Sequence, residues 1–127
     1  MINARENLLN ITNKLLTAGL NHGATGNCSC RDSGGFLITP TGVDSSKLTT
    51  DMMVRMNLSD NLSQPESKYQ PSSEWQFHQA ILEKYPEINA VVHTHSVFAS
   101  SLSVLGQEIP AFHYMIAVAG GNSVRCA

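Results

Sequence analysis

Val91-Val92-His93-Thr94-His95-Ser96 is the stretch from which the fold is read. Side chains on a β-strand alternate between faces with period two, so two histidines one residue apart, closing an apolar run, project from one face. Such a pair chelates. Neutral imidazole is the commonest metal ligand, and a rigid strand offering two supplies half of a tetrahedral zinc shell or two corners of an open catalytic one. The competing reading is a pair of partly exposed histidines at a strand end. The flanking sequence decides between them.

On the N-terminal side, residues 88–92 read as the strand that carries the pair. Before it, Pro71-Ser72-Ser73-Glu74-Trp75-Gln76 reads as a helix start: Ser73 and Gln76 have capping-box spacing. Trp75, Phe77, Ala80, Ile81, Leu82 and Tyr85 fill the following turns until Pro86. A helix start presents unpaired N–H groups and a positive dipole end, which with two serine hydroxyls make an anion grip. The simpler account has Ser73 capping the helix and Glu74 complementing the dipole. On the C-terminal side, Ser96 reads as the cap of a helix over 97–105 that ends at Gly106. Helix, strand and helix together form a compact unit, and such joints favour functional sites.

Further upstream, Leu8, Ile11, Leu15 and Ala18 mark an amphipathic helix over 6–18, ended by Gly19. Gly23-Ala24-Thr25-Gly26-Asn27-Cys28-Ser29-Cys30-Arg31 is small and polar, then alternating. Its exposed N–H groups and the Asn27 amide suit an oxyanion such as phosphate, although taken alone the stretch reads first as a plain turn into a strand. Ser33-Gly34-Gly35 reads as a hairpin turn, with residues 36–39 returning to Pro40. Thr39-Pro40-Thr41-Gly42 adds a rigid turn with a hydroxyl and a free N–H. A short helical turn over 44–51 capped by Asp44 or Ser45, a strand over 52–58 and a polar surface loop over 59–70 complete this part. Near the far end, residues 110–119 read as an apolar strand running into Gly120-Gly121. His113 on that strand is weighed as a third metal ligand against a packed or interface histidine. His22 and His78 have less to recommend them.

Composition excludes several classes. The chain has 127 residues, 42% of them hydrophobic and 14% charged, which reads as one globular domain. A net charge of -2 offers no basic surface of the kind nucleic acid requires. No apolar run reaches the length of a membrane span, and the start, Met1-Ile2-Asn3-Ala4-Arg5-Glu6, lacks the order of a signal peptide, so the expected compartment is the cytoplasm. Cys28, Cys30 and Cys126 read as reduced thiols, with Cys28 and Cys30 on one strand face as buried small residues. The far end, 120–127, reads as a chain in mid-course.

Four segments now stand in one order: Gly26-Asn27-Cys28-Ser29-Cys30-Arg31, Thr39-Pro40-Thr41-Gly42, Ser72-Ser73-Glu74 with His78, and Val91-Val92-His93-Thr94-His95. With them the chain resembles the class II aldolase/adducin family, nearest its branch of aldolases for fuculose 1-phosphate. The resemblance implies a three-layer α/β/α fold with a central, mainly antiparallel sheet, incomplete at the C-terminus, and a single domain over 1–127 that is the N-terminal part of the family fold. It implies Zn2+ as cofactor, with His93 and His95 as two of three zinc histidines. Glu74 is the implied catalytic acid/base, able also to approach the metal. Asn27, Thr41, Gly42, Ser72 and Ser73 match positions that hold the substrate phosphate. Tyr114 matches a catalytic tyrosine that members present to the neighbouring subunit's active site in a four-fold homotetramer.

The implied reaction is aldol cleavage of a ketose 1-phosphate to dihydroxyacetone phosphate and a short aldehyde, a lyase of carbohydrate metabolism. Family members continue beyond residue 127, and that further part carries the third zinc histidine and a C-terminal tyrosine. Within the family, sugar-phosphate epimerases tend to carry aspartate where Glu74 stands, whereas methylthioribulose-phosphate dehydratases keep the histidines and a glutamate. Adducin-like members are non-catalytic binding modules. A small zinc-stabilised fold outside the family is disfavoured, since two histidines and scattered thiols do not make a closed four-ligand set.

Overall fold

The computed structural model describes residues 3–59 and 67–126, so residues 60–66 of the polar loop read over 59–70 lie outside the description. Two compact units make up the chain, Met1–Thr94 and His95–Ala127, so the helix–strand–helix stretch read as one unit divides after Thr94.

The first unit opens with α1, Ala4–Thr17. It starts two residues earlier than the hydrophobic spacing suggests because Asn3 and Glu6 form a capping box. The Asn3 side chain accepts the Glu6 N–H at 2.9 Å, and the Glu6 carboxylate accepts the Asn3 N–H at 3.1 Å. Of this helix Leu8 and Thr12 are buried, whereas Ile11, read as part of the core stripe, is 41% exposed. Thr12 is tolerated inside because its hydroxyl donates to the Leu8 carbonyl at 2.9 Å. The helix ends at Ala18, and Gly19 takes the left-handed conformation as expected, φ +69°.

Strands β1 (Asn27–Asp32) and β2 (Gly35–Ile38) form the hairpin read from Ser33-Gly34-Gly35, with Gly35 already in the returning strand. Asp32 pairs with Gly35, so the two residues between them make the turn, and both have positive φ, +41° and +85°. That is the type I′ geometry whose twist matches antiparallel strands. Asp44 caps a 3-10 turn over Ser45–Lys47 and a second turn covers Thr50–Met52, so β3 is confined to Val54–Asn57. After α2 (Trp75–Lys84) comes β4 (Ala90–His93). The sheet runs β3-β2-β1-β4, antiparallel throughout.

Strand alternation divides the core in two. Phe36, Ile38, Val54 and Met56 pack with Leu82 of α2, joined by Trp75 and Val91. Leu37, Cys28 and Met53 pack with Leu8 of α1, joined by Cys30 and Leu15. A helix on each face gives the three layers expected. Each fully buried large apolar side chain contributes on the order of 1.5–3 kcal/mol. Arg31 fastens α2 to the sheet: its guanidinium donates to the carbonyls of Leu82, Tyr85 (3.1 Å) and Ile88 (2.6 Å), placing a cation at the helix C-terminus.

The second unit contains α3, Val97–Val104, with Gly106 at φ +65° after it. Ser96 occupies the cap position but its side chain makes no cap bond. The strand read over 110–119 is not formed. Tyr114–Ala119 is a 3-10 helix in which Ile116 N–H donates to the His113 carbonyl at 3.0 Å. Among the described residues, strand-like pairing here is limited to the bridge between Ile109 and Val124. The backbone of the 3-10 helix is hydrogen-bonded locally, with Gly120 N–H likewise donating to the Ala117 carbonyl at 3.0 Å. Among the described residues, no helix is long and apolar enough to cross a membrane.

Candidate active site and metal centre

Pairing of β1 with β4 sets Asn27 directly opposite His93. Opposed residues share a sheet face, and this face is the one covered by α2, because Val91 and Phe36 point the same way. Glu74 is the residue from which α2 departs, at φ -101° and ψ 14°, and its side chain does not cap the helix. Instead Glu74 Oε2 accepts from Asn27 Nδ2 at 2.6 Å and from His93 Nδ1 at 2.8 Å. The capping box read between Ser73 and Gln76 is therefore absent. The helix begins one residue later, after a turn in which the Ser72 hydroxyl accepts the Glu74 N–H at 3.3 Å.

Behind Asn27 lies His78, fully buried. His78 Nε2 is 2.5 Å from Asn27 Oδ1, and His78 Nδ1 is 2.8 Å from the Ser29 hydroxyl. The Phe77 ring stacks on His78 at 4.4 Å and meets His93 edge-on at 5.4 Å. Burial, with a smaller push from His93, lowers the His78 pKa to about 4, so the ring is neutral near pH 7. The sequence reading quoted His78 beside Glu74 but gave it no role, and gave none to Ser29. Two signals point to them: Asn27 and Ser29 share a face of β1 by period two, and Glu74 and His78 are four residues apart at the start of a helix.

His95 stands two residues after His93, beyond the end of β4, so the histidine pair is not built by strand alternation as read. One ligand atom each from Glu74, His93 and His95 nevertheless lie within 4.8 Å of one another. An ion held at about 2.0–2.2 Å spaces tetrahedral donors about 3.4 Å apart, so small side-chain adjustments suffice. Two imidazoles and a carboxylate are donors that zinc accepts. His113, weighed as a third ligand, is exposed in the second unit and its Nδ1 accepts the Met115 N–H at 3.2 Å. Cys28 is buried as read, and burial pushes its thiol up to about 11, whereas Cys30, read as buried with it, is only partly so.

The two polar turns read as anion grips are laid side by side. Ser72 N–H donates to the Thr39 carbonyl at 3.0 Å, Thr41 N–H donates to the Gln70 carbonyl at 3.1 Å, and Pro40 bridges Pro71. Thr39 in turn joins β1, its hydroxyl accepting the Cys28 N–H at 3.2 Å. Thr41, Gly42 and Ser73 are exposed and Ser72 is buried, with Gly42 at φ +70°. Tyr114 lies in the second unit, 79% exposed.

Antiparallel sheet, flanking helices and this cluster of carboxylate and imidazoles together define the family. Residues 6–127 match the Class II Aldolase and Adducin N-terminal domain, and the chain belongs to that family. It is 50% identical over 109 residues to the L-fuculose phosphate aldolase of Escherichia coli (strain K12), covering 86% of this chain and 49% of that protein. Over 125 residues it is 42% identical to the 5-methylthioribulose-1-phosphate/5-deoxyribulose-1-phosphate aldolase of Escherichia coli O45:K1 (strain S88 / ExPEC), covering 98% of this chain and 57% of that protein. A solved L-fuculose 1-phosphate aldolase matches with a TM-score of 0.83 at 34% identity, covering 95% of this chain and 57% of that one. The chain thus spans about half the length of the curated relatives it matches.

Proposed function

We propose that this chain carries the acid/base, metal-binding and phosphate-binding groups of a class II aldehyde-lyase that cleaves a ketose 1-phosphate to dihydroxyacetone phosphate and a short aldehyde. The observation that carries the reading is the Glu74 carboxylate, held by Asn27 at 2.6 Å and His93 at 2.8 Å within the group Glu74, His93 and His95. Glu74, His93 and His95 would hold Zn2+. When bound, the ion supplies Lewis-acid polarisation of the ketone.

Cleavage of the bond between C3 and C4 leaves the electron pair on the ketone fragment and a carbonyl on the other. The proton lost from the C4 hydroxyl balances the one gained at C3, so the site needs a proton carrier. Glu74 is the carboxyl placed for it, and the N–H groups of Asn27 and His93 keep Oε2 aimed while it works. In this reading Asn27, Thr41, Gly42, Ser72 and Ser73 hold the phosphate, and the pairing of the two turns that carry four of them, with the bond between Cys28 and Thr39 beside Asn27, supports it. An Asn amide has two N–H donors, so the bond from Asn27 to Glu74 leaves a second donor to offer the substrate. The exposure of Tyr114 suits its presentation to a neighbouring subunit's site in a homotetramer, and the small-molecule chemistry suits a cytoplasmic enzyme.

For the substrate, 50% identity to an L-fuculose phosphate aldolase favours fuculose 1-phosphate. The second reading, 5-deoxyribulose or 5-methylthioribulose 1-phosphate, is favoured by 42% identity over more of the chain. Both share the same phosphorylated head and differ in the aldehyde released. Incubating the zinc-loaded protein with each and quantifying dihydroxyacetone phosphate tests the proposal. Release from one or more supports it, and release from none, with zinc bound, contradicts it.

A further inference from the structure

His78 has a contact pattern that a core histidine does not require. It is the one fully buried imidazole among the described residues, and each of its ring nitrogens meets a polar side chain of β1, Ser29 on one side and Asn27 on the other. The direction of these bonds follows from their far end. An ionised Glu74 carboxylate only accepts, so Asn27 must present Nδ2 to it at 2.6 Å. Its Oδ1 then faces His78 Nε2 at 2.5 Å, which must carry the proton. His78 Nδ1 is left with its lone pair and accepts from the Ser29 hydroxyl at 2.8 Å.

Every atom has one role in this order. The reversed Asn27 amide would set two acceptors, Oδ1 and Oε2, against each other at hydrogen-bond distance. His78 could follow such a reversal by moving its proton to Nδ1 and donating to the Ser29 hydroxyl, so it is the acceptor-only Glu74 carboxylate that fixes the order.

We propose that His78, which donates its Nε2–H to Asn27 Oδ1 and accepts at Nδ1 from Ser29, is a positioning residue that locks the Asn27 carboxamide with both Nδ2 hydrogens turned toward the reacting side, one for Glu74 and one for the substrate phosphate. The inference rests on the functional reading above, since it names what aims the groups of that site. Its burial and low pKa keep the ring neutral, with one donor and one acceptor, as the lock needs. His78 touches neither substrate nor metal in this account and acts through Asn27.

Long-range 1H–15N NMR of the zinc-loaded chain at pH 7 reads the tautomer without any substitution. The Nε2–H form is expected at His78, and the Nδ1–H form would overturn the lock. In His78→Leu the Asn27 Nδ2 hydrogens should shift and lose their slow solvent exchange, and cleavage of the best ketose 1-phosphate should fall about tenfold, the worth of one positioned hydrogen bond. His78→Gln, whose amide nitrogen stands near the place of Nε2, should restore the Asn27 signals and most of the rate. A folded His78→Leu with unmoved Asn27 signals or an unaltered rate overturns the proposal. Should His78→Leu not fold, the wild-type tautomer and the His78→Gln signals decide. A wild-type chain that shows the lock but cleaves no ketose 1-phosphate overturns the functional reading alone.

Discussion

Asn27 donates to Glu74 Oε2 at 2.6 Å across 47 positions of sequence. That one bond joins the first residue of β1 to the residue from which α2 departs. It thereby connects the loop read as a phosphate grip to the carboxylate read as the acid/base. Because His93 reaches the same oxygen from the opposing strand, Oε2 is fixed by two donors carried on paired strands, a more rigid mount than a loop provides.

Asn27→Asp replaces the donor by a carboxylate against Glu74. Repulsion would turn Glu74 away from His93, and misplacement of that order costs on the order of 100-fold in rate. The expected result is a loss of that size in kcat/KM for ketose 1-phosphate cleavage, with a folded protein by circular dichroism.

His78 makes stability depend on pH. Its pKa falls from 6.5 to about 4 in the folded chain, so between those values the unfolded state binds more protons. The stability tied to a neutral His78 is present above pH 6.5 and is lost as pH falls toward 4, amounting to about 3 kcal/mol across the window. Urea midpoints measured from pH 7 to 4 should fall accordingly, and His78→Gln should fall less steeply.

Gly26 immediately precedes β1 at φ +68°, and a Cβ there would run into the side chain of buried Asn21. Gly26→Ala is expected to destabilise by roughly 1–2 kcal/mol from backbone conformation alone, with the clash added. Thermal melting reads the loss, and the Asn27 side-chain signals should shift with it.

Arg31 spans three carbonyls at the end of α2. Arg31→Ala is expected to cost about 1.5–3 kcal/mol, as for hydrogen bonds from a charged donor. Arg31→Lys should recover only part of this, since an ammonium cannot reproduce the planar fork. Denaturant titration of the three proteins checks the order.

Much of the first unit was legible in the sequence because local chemistry and tertiary structure agree there. Ser33-Gly34-Gly35 marked a hairpin turn, Gly19 a helix stop, and the apolar runs over 36–39 and 52–58 two strands. The turns at Thr39–Gly42 and Gln70–Ser73 were recognisable as polar loops, but the bridge between them is a long-range pairing that no local pattern encodes. The capping box at Ser73 failed because Glu74 is engaged across the sheet, a tertiary demand that overrides cap preference. The strand over 110–119 failed because apolar content alone does not supply a partner strand. His78 was quoted beside Glu74 without a role because its two polar partners, Asn27 and Ser29, lie on a strand about fifty residues away in sequence.

Deuterium exchange into dihydroxyacetone phosphate tests the central claim most directly, since it isolates proton transfer by Glu74 and needs no aldehyde. The zinc-loaded protein in D2O should replace one hydrogen of the hydroxymethyl carbon, followed by proton NMR. The exchange should vanish with a chelator, return with zinc, and be lost in Glu74→Gln. No exchange from zinc-loaded protein with dihydroxyacetone phosphate bound would contradict the assignment of Glu74 as the acid/base.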